Sequence, residues 1–187
     1  MKCRYTSAAL FVLCAVAFAA GPADVDTQKS TLTVRVFKTG FFSAFAHDHQ
    51  INAPIERGTF SEQPPAVDFV VDARKLKPLD KESAGNLEKI QKTMLGPEVL
   101  DTEKYPEIRF HSISVEKSGE AGWLVHGELA LHGQAHPVAV KVKKVNGHYQ
   151  GDVQILQNDF GITPVSIAGG SVKVKNEVRI EFDVVGK

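Results

Sequence analysis

The segment Trp123–His132, WLVHGELALH, is the clearest sign of the fold class because its side chains follow a period of two. Apolar residues and one glycine occupy every second position from Trp123 to Leu131. The other set of alternate positions holds Leu124, His126, Glu128, Ala130 and His132. Successive side chains of a β-strand point to opposite faces of a sheet, so this pattern gives one apolar and one polar face. It predicts a strand that is buried on one side.

The same period of two recurs on both sides of this segment. Asn146-Gly147 is a strong signal for a tight β-hairpin. Many short strands with one apolar face are typical of antiparallel sheets, and their even spacing predicts a barrel or a sandwich. The further alternating segments are Leu32–Val36, Val67–Val71, Val138–Val142, Val172–Val174 and Val178–Val184.

One stretch between the strands has the spacing of a helix instead. Leu87, Ile90 and Met94 recur at intervals of three and four residues within Asp80–Leu95. They predict a helical insertion whose apolar face packs on the sheet. On a barrel such a helix commonly caps an opening, which would give these three residues a second role in lining a ligand tunnel.

The first 19 residues have the features of an export signal. Lys2 and Arg4 precede an apolar run, and Ala17-Phe18-Ala19 fits the small-residue pattern of a cleavage site. The run is too short for a membrane anchor. We therefore expect a signal peptide over 1–19, a flexible lead-in over 20–28 and one domain over 29–187. The protein would be periplasmic or secreted and would not span the membrane.

The mature chain has neither thiol chemistry nor a basic surface. Both cysteines, Cys3 and Cys14, lie in the predicted signal, so cleavage leaves no disulfide and no thiolate ligand. Cleavage also removes two of the 22 basic residues and none of the 22 acidic ones, which leaves a net charge of −2. This balance gives no electrostatic support for nucleic-acid binding.

Two histidines follow a run of aromatic residues. On a strand, Phe41, Phe45, His47 and His49 share one face, and Asp48 points the other way. Imidazoles among bulky apolar side chains form either a site or a costly part of the core.

Three roles for His47 and His49 remain open. They could contact the head group of a ligand, such as a hydroxyl, a phosphate or a quinone carbonyl. They could bind a divalent metal, with His136 as a third ligand because it shares the face of Val138. They could also be purely structural.

The sequence favours a binding protein over an enzyme. The mature chain has no cysteine nucleophile and no G-x-S-x-G turn. Ser43, His47 and Asp48 lie too close together on one strand to form a triad, because alternate residues face opposite ways. We therefore predict no catalytic residue.

Three further motifs resemble the YceI-like family. They are Val99–Ser112, VLDTEKYPEIRFHS; Gly127–Gly133, GELALHG, with Pro137-Val138 after it; and Asn158–Ile162, NDFGI. The run Ala46-His47-Asp48-His49 is similar to a subset of relatives. The resemblance implies an exported, lipocalin-like antiparallel β-barrel that binds a long polyisoprenoid or a similar lipid in its interior.

Together these observations predict an all-β protein, an antiparallel eight-stranded lipocalin-like barrel with a helical insertion between strands. A barrel of this size holds one slender ligand, so we expect a carrier whose partner is a hydrophobic small molecule, an isoprenoid-type lipid or a quinone. The alternatives are a histidine-based metal-binding or redox-accessory protein and a stress-response structural protein with an incidental cavity. A homodimer is plausible where a strand edge or the helix is exposed. The predicted ligand-binding residues are Phe41, Phe45, His47, His49, Leu87, Ile90, Met94, Phe110 and Trp123.

Overall fold

A computed structural model describes residues 21–39, 48–167 and 172–187. These residues form twelve β-strands, one α-helix and two short 3-10 turns, at Ala73–Lys75 and Gln157–Phe160. The helix is α1 (Ala84–Leu95). The strands are β1 (Ala23–Asp24), β2 (Thr31–Thr39), β3 (His49–Asn52), β4 (Ile55–Glu62), β5 (Pro65–Asp72), β6 (Lys77–Pro78), β7 (Glu107–Lys117), β8 (Gly122–Leu131), β9 (Gln134–Val145), β10 (His148–Leu156), β11 (Ser166–Ile167) and β12 (Val172–Val184).

All the strands belong to one curled antiparallel sheet, as the alternation predicted. Its order is β1-β4-β5-β7-β8-β9-β10-β12-β2-β3-β6, with β11 paired to β12. The predicted count of eight strands is not confirmed, because the described residues contain twelve. Four of the twelve, β1, β3, β6 and β11, are only two to four residues long. Strands this short show too few alternations to be recognised in a sequence.

The curl brings the two ends of the described chain together. Val25 forms a β-bridge with Gly186. The Asp26 N–H donates to the Val185 carbonyl over 2.8 Å, and the Lys187 N–H donates to the Asp24 carbonyl over 2.9 Å. Thus β1, which pairs with β4 on one side, meets the residues after β12 on the other.

The segment that we expected to be a flexible lead-in is therefore partly built into the sheet. Val25 is only 1% exposed and packs in a cluster with Ile55 and Val184. This pairing could not be predicted, because a two-residue strand is too short to show alternation. By contrast, the hairpin predicted at Asn146-Gly147 is confirmed, and both of its central residues have positive φ angles, 50° and 85°.

The helical insertion is also confirmed, but α1 begins four residues later than Asp80. Ser83 is the N-cap and its side chain accepts from the Asn86 N–H. Gly96 is the C-cap, and its N–H donates to the carbonyls of Lys92 and Thr93. None of the α1 residues is fully buried. Met94 and Leu95, in the last turn, pack against the core cluster of Ile51, Ala53, Val71 and Leu76.

Candidate functional site

The apolar faces of the strands enclose two cavities inside the curled sheet. The first, which we call the hairpin-end cavity, has a volume of about 140 Å³. It lies where β4 and β5, β7 and β8, and β9 and β10 are joined by hairpins. Its walls include Trp123 and Val125 of β8, Val140 of β9 and Tyr149 of β10.

The second cavity, the middle cavity, has a volume of about 170 Å³ and lies farther along the same strands. Its walls include Val71, Ile108 and Val178. The two cavities are neighbours, because five residues line both. These shared residues are Leu32, Phe69, Phe110, Leu129 and Ile180.

A larger space of about 500 Å³, the mouth, lies between α1 and the opposite ends of the strands. Exposed residues such as Asn86, Lys89 and Lys173 line it, so it opens to solvent. It too shares walls with the middle cavity, at Val36, Ile51, Met94, Val99 and Gln157. The three spaces therefore lie in a row, from the mouth beside α1 to the hairpin end.

The character of the walls changes along this row. The hairpin-end and middle cavities are lined almost wholly by aliphatic and aromatic side chains. An engineered apolar cavity of about 150 Å³ in another protein stays dry and binds benzene. Cavities of this size and lining are therefore suited to hydrocarbon, whereas the mouth offers polar and charged groups as well.

His49 is the best-defined polar group at the mouth. Its Nδ1 lies 2.7 Å from Asp80 Oδ2, and the Gln50 N–H donates to Asp80 Oδ1 over 2.9 Å. This arrangement exists because β6, just before Asp80, pairs with β3 at Ile51–Pro78. The His49 side chain is 32% exposed and so remains within reach of a bound molecule.

Three lysines give the mouth a positive bias. Lys38, Lys89 and Lys173 line it, against one acidic lining residue, Glu82. Among the described residues, none of the three lysines takes part in an ion pair. The mouth thus presents positively charged and polar groups, with Asp80 paired to His49, whereas the inner cavities present mainly apolar side chains.

The hairpin end has a polar cluster of a different kind. Lys144 Nζ lies 2.7 Å from Glu62 Oε1, and the Tyr149 hydroxyl donates to the same oxygen. The hydrogen bond from Lys144 holds the pKa of the Glu62 carboxyl below its usual value. Burial, and then the bond to Glu62, raises the pKa of Tyr149. The three groups satisfy one another and leave an apolar surface toward the cavity.

Aromatic rings complete this end of the cavity. The Phe60 and Tyr149 rings are 4.8 Å apart between centroids, and the Trp123 and Tyr149 rings are 5.7 Å apart. Tyr149, Glu62 and Lys144 were not predicted as site residues. Tyr149 could have been suspected, because it alternates with Gly151 and Val153, but its contact with Glu62 depends on the curl of the sheet.

The structure places most of the described candidates along the row of cavities. Phe110 lines both inner cavities and Trp123 lines the hairpin end, whereas His49, Ile90 and Met94 line the mouth. Leu87 is half-buried on α1 and is not part of these walls. The remaining candidates, Phe41, Phe45 and His47, lie outside the described residues, and so does the first half of the Ala46–His49 motif.

The described part of the chain does not bring the proposed metal ligands together. His49 lies at the mouth, but His136 packs edge-on against Phe160 between β9 and β10, with ring centroids 5.1 Å apart. Within residues 21–39, 48–167 and 172–187, no group of three or more histidine or acidic side chains could hold a metal ion. In these same ranges, no helix is long and apolar enough to cross a membrane.

Comparison with known proteins points to one family. A sequence model of the YceI-like domain matches residues 24–186. The UPF0312 protein plu2095 of Photorhabdus laumondii is 30% identical over 139 residues, which cover 74% of this chain and 68% of that protein. A UPF0312 protein of Shewanella sp. strain W3-18-1 is 28% identical over 182 residues, 87% of this chain and 88% of that protein.

Solved structures agree at the level of the fold. The crystal structure of Burkholderia cenocepacia BcnA matches with a TM-score of 0.65 at 20% identity and covers 87% of this chain and 99% of BcnA. The YceI protein of Campylobacter jejuni matches with a TM-score of 0.53 at 13% identity over 73% of this chain and 81% of its own. Both similarities support a curled, mostly antiparallel sheet with one helix.

Proposed function

The chain belongs to the YceI-like family, and on this basis we propose that it is an exported carrier that binds an isoprenoid-type lipid or a quinone-like molecule in its interior. The observation that carries the proposal is the row of three spaces. An apolar path runs from the mouth through the middle cavity to the hairpin end. Such a path fits a slender hydrocarbon chain better than a compact ligand.

Burial of the chain would supply the affinity. Each CH₂ group moved from water into an apolar site contributes about 0.8 kcal/mol. A tail of some ten carbons therefore offers roughly 8 kcal/mol before the costs of association are subtracted. Specific polar contacts are not needed for useful binding, which agrees with the scarcity of polar groups along the inner walls.

The ends of the path differ, and the difference orients the ligand. At the hairpin end, Glu62, Lys144 and Tyr149 bond one another. A polar head group there would have to displace these bonds. At the mouth, His49 and three lysines face an open space. The head group therefore lies at the mouth beside His49, and the tail points toward Trp123.

Mass spectrometry of an organic extract tests the proposal. We expect the mature protein, purified without detergent, to release a lipid with a prenyl-type chain. Leu129→Trp, which places a bulky ring between the two inner cavities, should lower the amount of bound lipid. Ile113→Trp is the matched control, because Ile113 is 71% exposed on the outside of β7. No lipid in the wild type, together with no uptake of added geranylgeraniol, would leave only an incidental cavity in a structural protein.

The metal-binding or redox-accessory alternative is decided by a separate measurement. If the histidines contact the head group of the lipid, elemental analysis of untagged protein after incubation with zinc, copper and iron salts should show no stoichiometric metal. A bound metal that His49→Ala removes would favour the alternative instead. His126→Ala is a suitable control, since His126 alternates with the inward residues of β8.

Export is the remaining part of the proposal. The expected mature protein begins after Ala19 and lies in the periplasm or outside the cell. Cell fractionation followed by N-terminal sequencing tests this, and an uncleaved protein in the cytoplasm would contradict it.

A further inference from the structure

The sheet is split between two neighbouring strands. β9 and β10 pair at only five positions, from Val145–His148 to Lys141–Asp152. Beyond this fork, Gln134–Val140 of β9 pair only with β8, and Val153–Leu156 of β10 pair only with β12. We call the gap between these two unpaired edges the seam.

The sequence contains a reason for the seam. Pro137 lies in the unpaired part of β9, opposite Glu128 of β8. Proline has no backbone N–H to donate, so within sheets it is found at edges and irregularities rather than in fully paired strands. Its position favours a strand that is paired on one side only.

The seam contains a pocket between the two unpaired edges. Its volume is about 220 Å³. Ala139 and Gln154 line this pocket, but so do Val138 and Val153, whose side chains point the opposite way because they are the next residues along each strand. The pocket therefore lies along the unpaired edges of β9 and β10, next to residues that belong to both faces of the sheet.

Only one layer of side chains separates this pocket from the interior. Val138 and Val153 also line the hairpin-end cavity, and Ile155 also lines the middle cavity. The seam therefore lies alongside the proposed lipid tail, whereas the mouth lies at the end of it.

Phe160 fills the wide end of the seam. It is 1% exposed and packs in the core cluster with Leu129, Ile155 and Val178. It sits in the short 3-10 turn after β10, not in a strand. It is held by His136, edge-on against its ring, and by His132, whose Nδ1 lies 3.0 Å from its carbonyl oxygen.

We propose that the seam is a lateral portal, closed by Phe160, through which the hydrocarbon chain of the ligand enters and leaves the interior sideways. The inference rests on the proposed function and adds its route of exchange. A chain that leaves by the mouth must be drawn out along its whole length. One that leaves through the seam passes sideways between Val138, Val153 and Ile155 once Phe160, on its turn, is displaced.

Rates of exchange test the portal, with geranylgeraniol carrying a nitrobenzoxadiazole fluorophore as the probe. Stopped-flow fluorescence gives the association rate, and transfer to phosphatidylcholine vesicles gives the dissociation rate. Phe160→Leu and, independently, His136→Ala should raise both rates by a common factor of about five or more. Entry and exit pass through the same transition state, so loosening the closure lowers the barrier in both directions. Kd should change less than twofold. Ordinary binding-site variants change mainly the dissociation rate.

Three tryptophan variants provide the opposite perturbation and its controls. Ala139→Trp adds bulk at the seam and should slow both rates. Ile113→Trp, on the outside of β7, should leave both rates unchanged. Ile90→Trp narrows the mouth and should slow exchange less than Ala139→Trp does. If Ile90→Trp slows exchange and the three seam variants do not, the mouth is the route and the portal is refuted. If the wild type does not bind the probe at all, the carrier function itself fails, and the portal fails with it.

Discussion

Val140→Phe is the variant that most directly tests where the tail of the ligand ends. Val140 is 7% exposed, lies opposite Val125 of β8 and lines the hairpin-end cavity but not the middle one. A phenyl ring at this position would occupy the cavity of about 140 Å³. A cavity of similar volume holds one benzene, so the ring would displace about one isoprene unit of the tail.

The loss of affinity follows from the buried carbons. About five carbons at roughly 0.8 kcal/mol each amount to about 4 kcal/mol. This corresponds to roughly a thousandfold increase in Kd for a chain long enough to reach the hairpin end, since 1.4 kcal/mol is a factor of ten. A shorter chain that ends in the middle cavity should be affected little.

The chain contains its own probe for this experiment. Trp123 is the only tryptophan and lines the hairpin-end cavity. A geranylgeranyl chain with a brominated terminus should quench its fluorescence in the wild type and fail to do so in Val140→Phe. Val145→Phe is the matched control, because Val145 lies on the same strand but is 45% exposed. Equal quenching and equal affinity in a folded Val140→Phe protein would refute the placement of the tail.

Three further predictions concern stability and ionisation. Glu62→Gln removes one of the interactions that raise the pKa of Tyr149, so ultraviolet titration should show the phenol ionising at lower pH. The hydrogen bond from Arg74 holds the pKa of Asp72 well below its ordinary value; the stability it contributes is therefore present above about pH 3.9 and lost as the pH falls below it. In urea unfolding, Asp72→Asn should therefore lose less of its free energy of unfolding than the wild type as the pH is lowered below about 3.9. An equal loss in both proteins would contradict the assignment. Gly127→Ala should destabilise the fold by about 1–3 kcal/mol because the new Cβ would lie 2.5 Å from a phenylalanine ring. Gly85→Ala, in open space on α1, should stabilise it by about 0.5–1 kcal/mol. Thermal melts that rank these two variants the other way would contradict both estimates.

The inward faces of the long strands could be predicted because the information is local. Successive side chains of a strand point to opposite faces, so the positions of Trp123 and Leu129 identify the buried face without knowledge of the rest of the fold. The helix is likewise visible from the spacing of Ile90 and Met94. The pairing of β9 with β10 follows from the turn at Asn146-Gly147.

Contacts between distant segments could not be predicted in this way. The sequence suggested Asp80 as the start of a helix, but the structure uses its carboxylate to bind His49, 31 residues earlier. That contact depends on the pairing of β3 with β6, which is too short to show a period. The bond between Glu62 and Lys144 similarly joins two hairpins that are far apart in the order of the sheet.

The bridge between Val25 and Gly186 has a consequence for the order of folding. It joins residues about 160 positions apart, and such long-range contacts form slowly because the loop between them must first be closed. A polypeptide delivered from its N-terminus onward cannot complete the ring of strands until its final residues arrive. Until then, part of the apolar surface of the earlier strands stays exposed to solvent. The unfinished protein should therefore depend on a holding chaperone until β12 is available to pair.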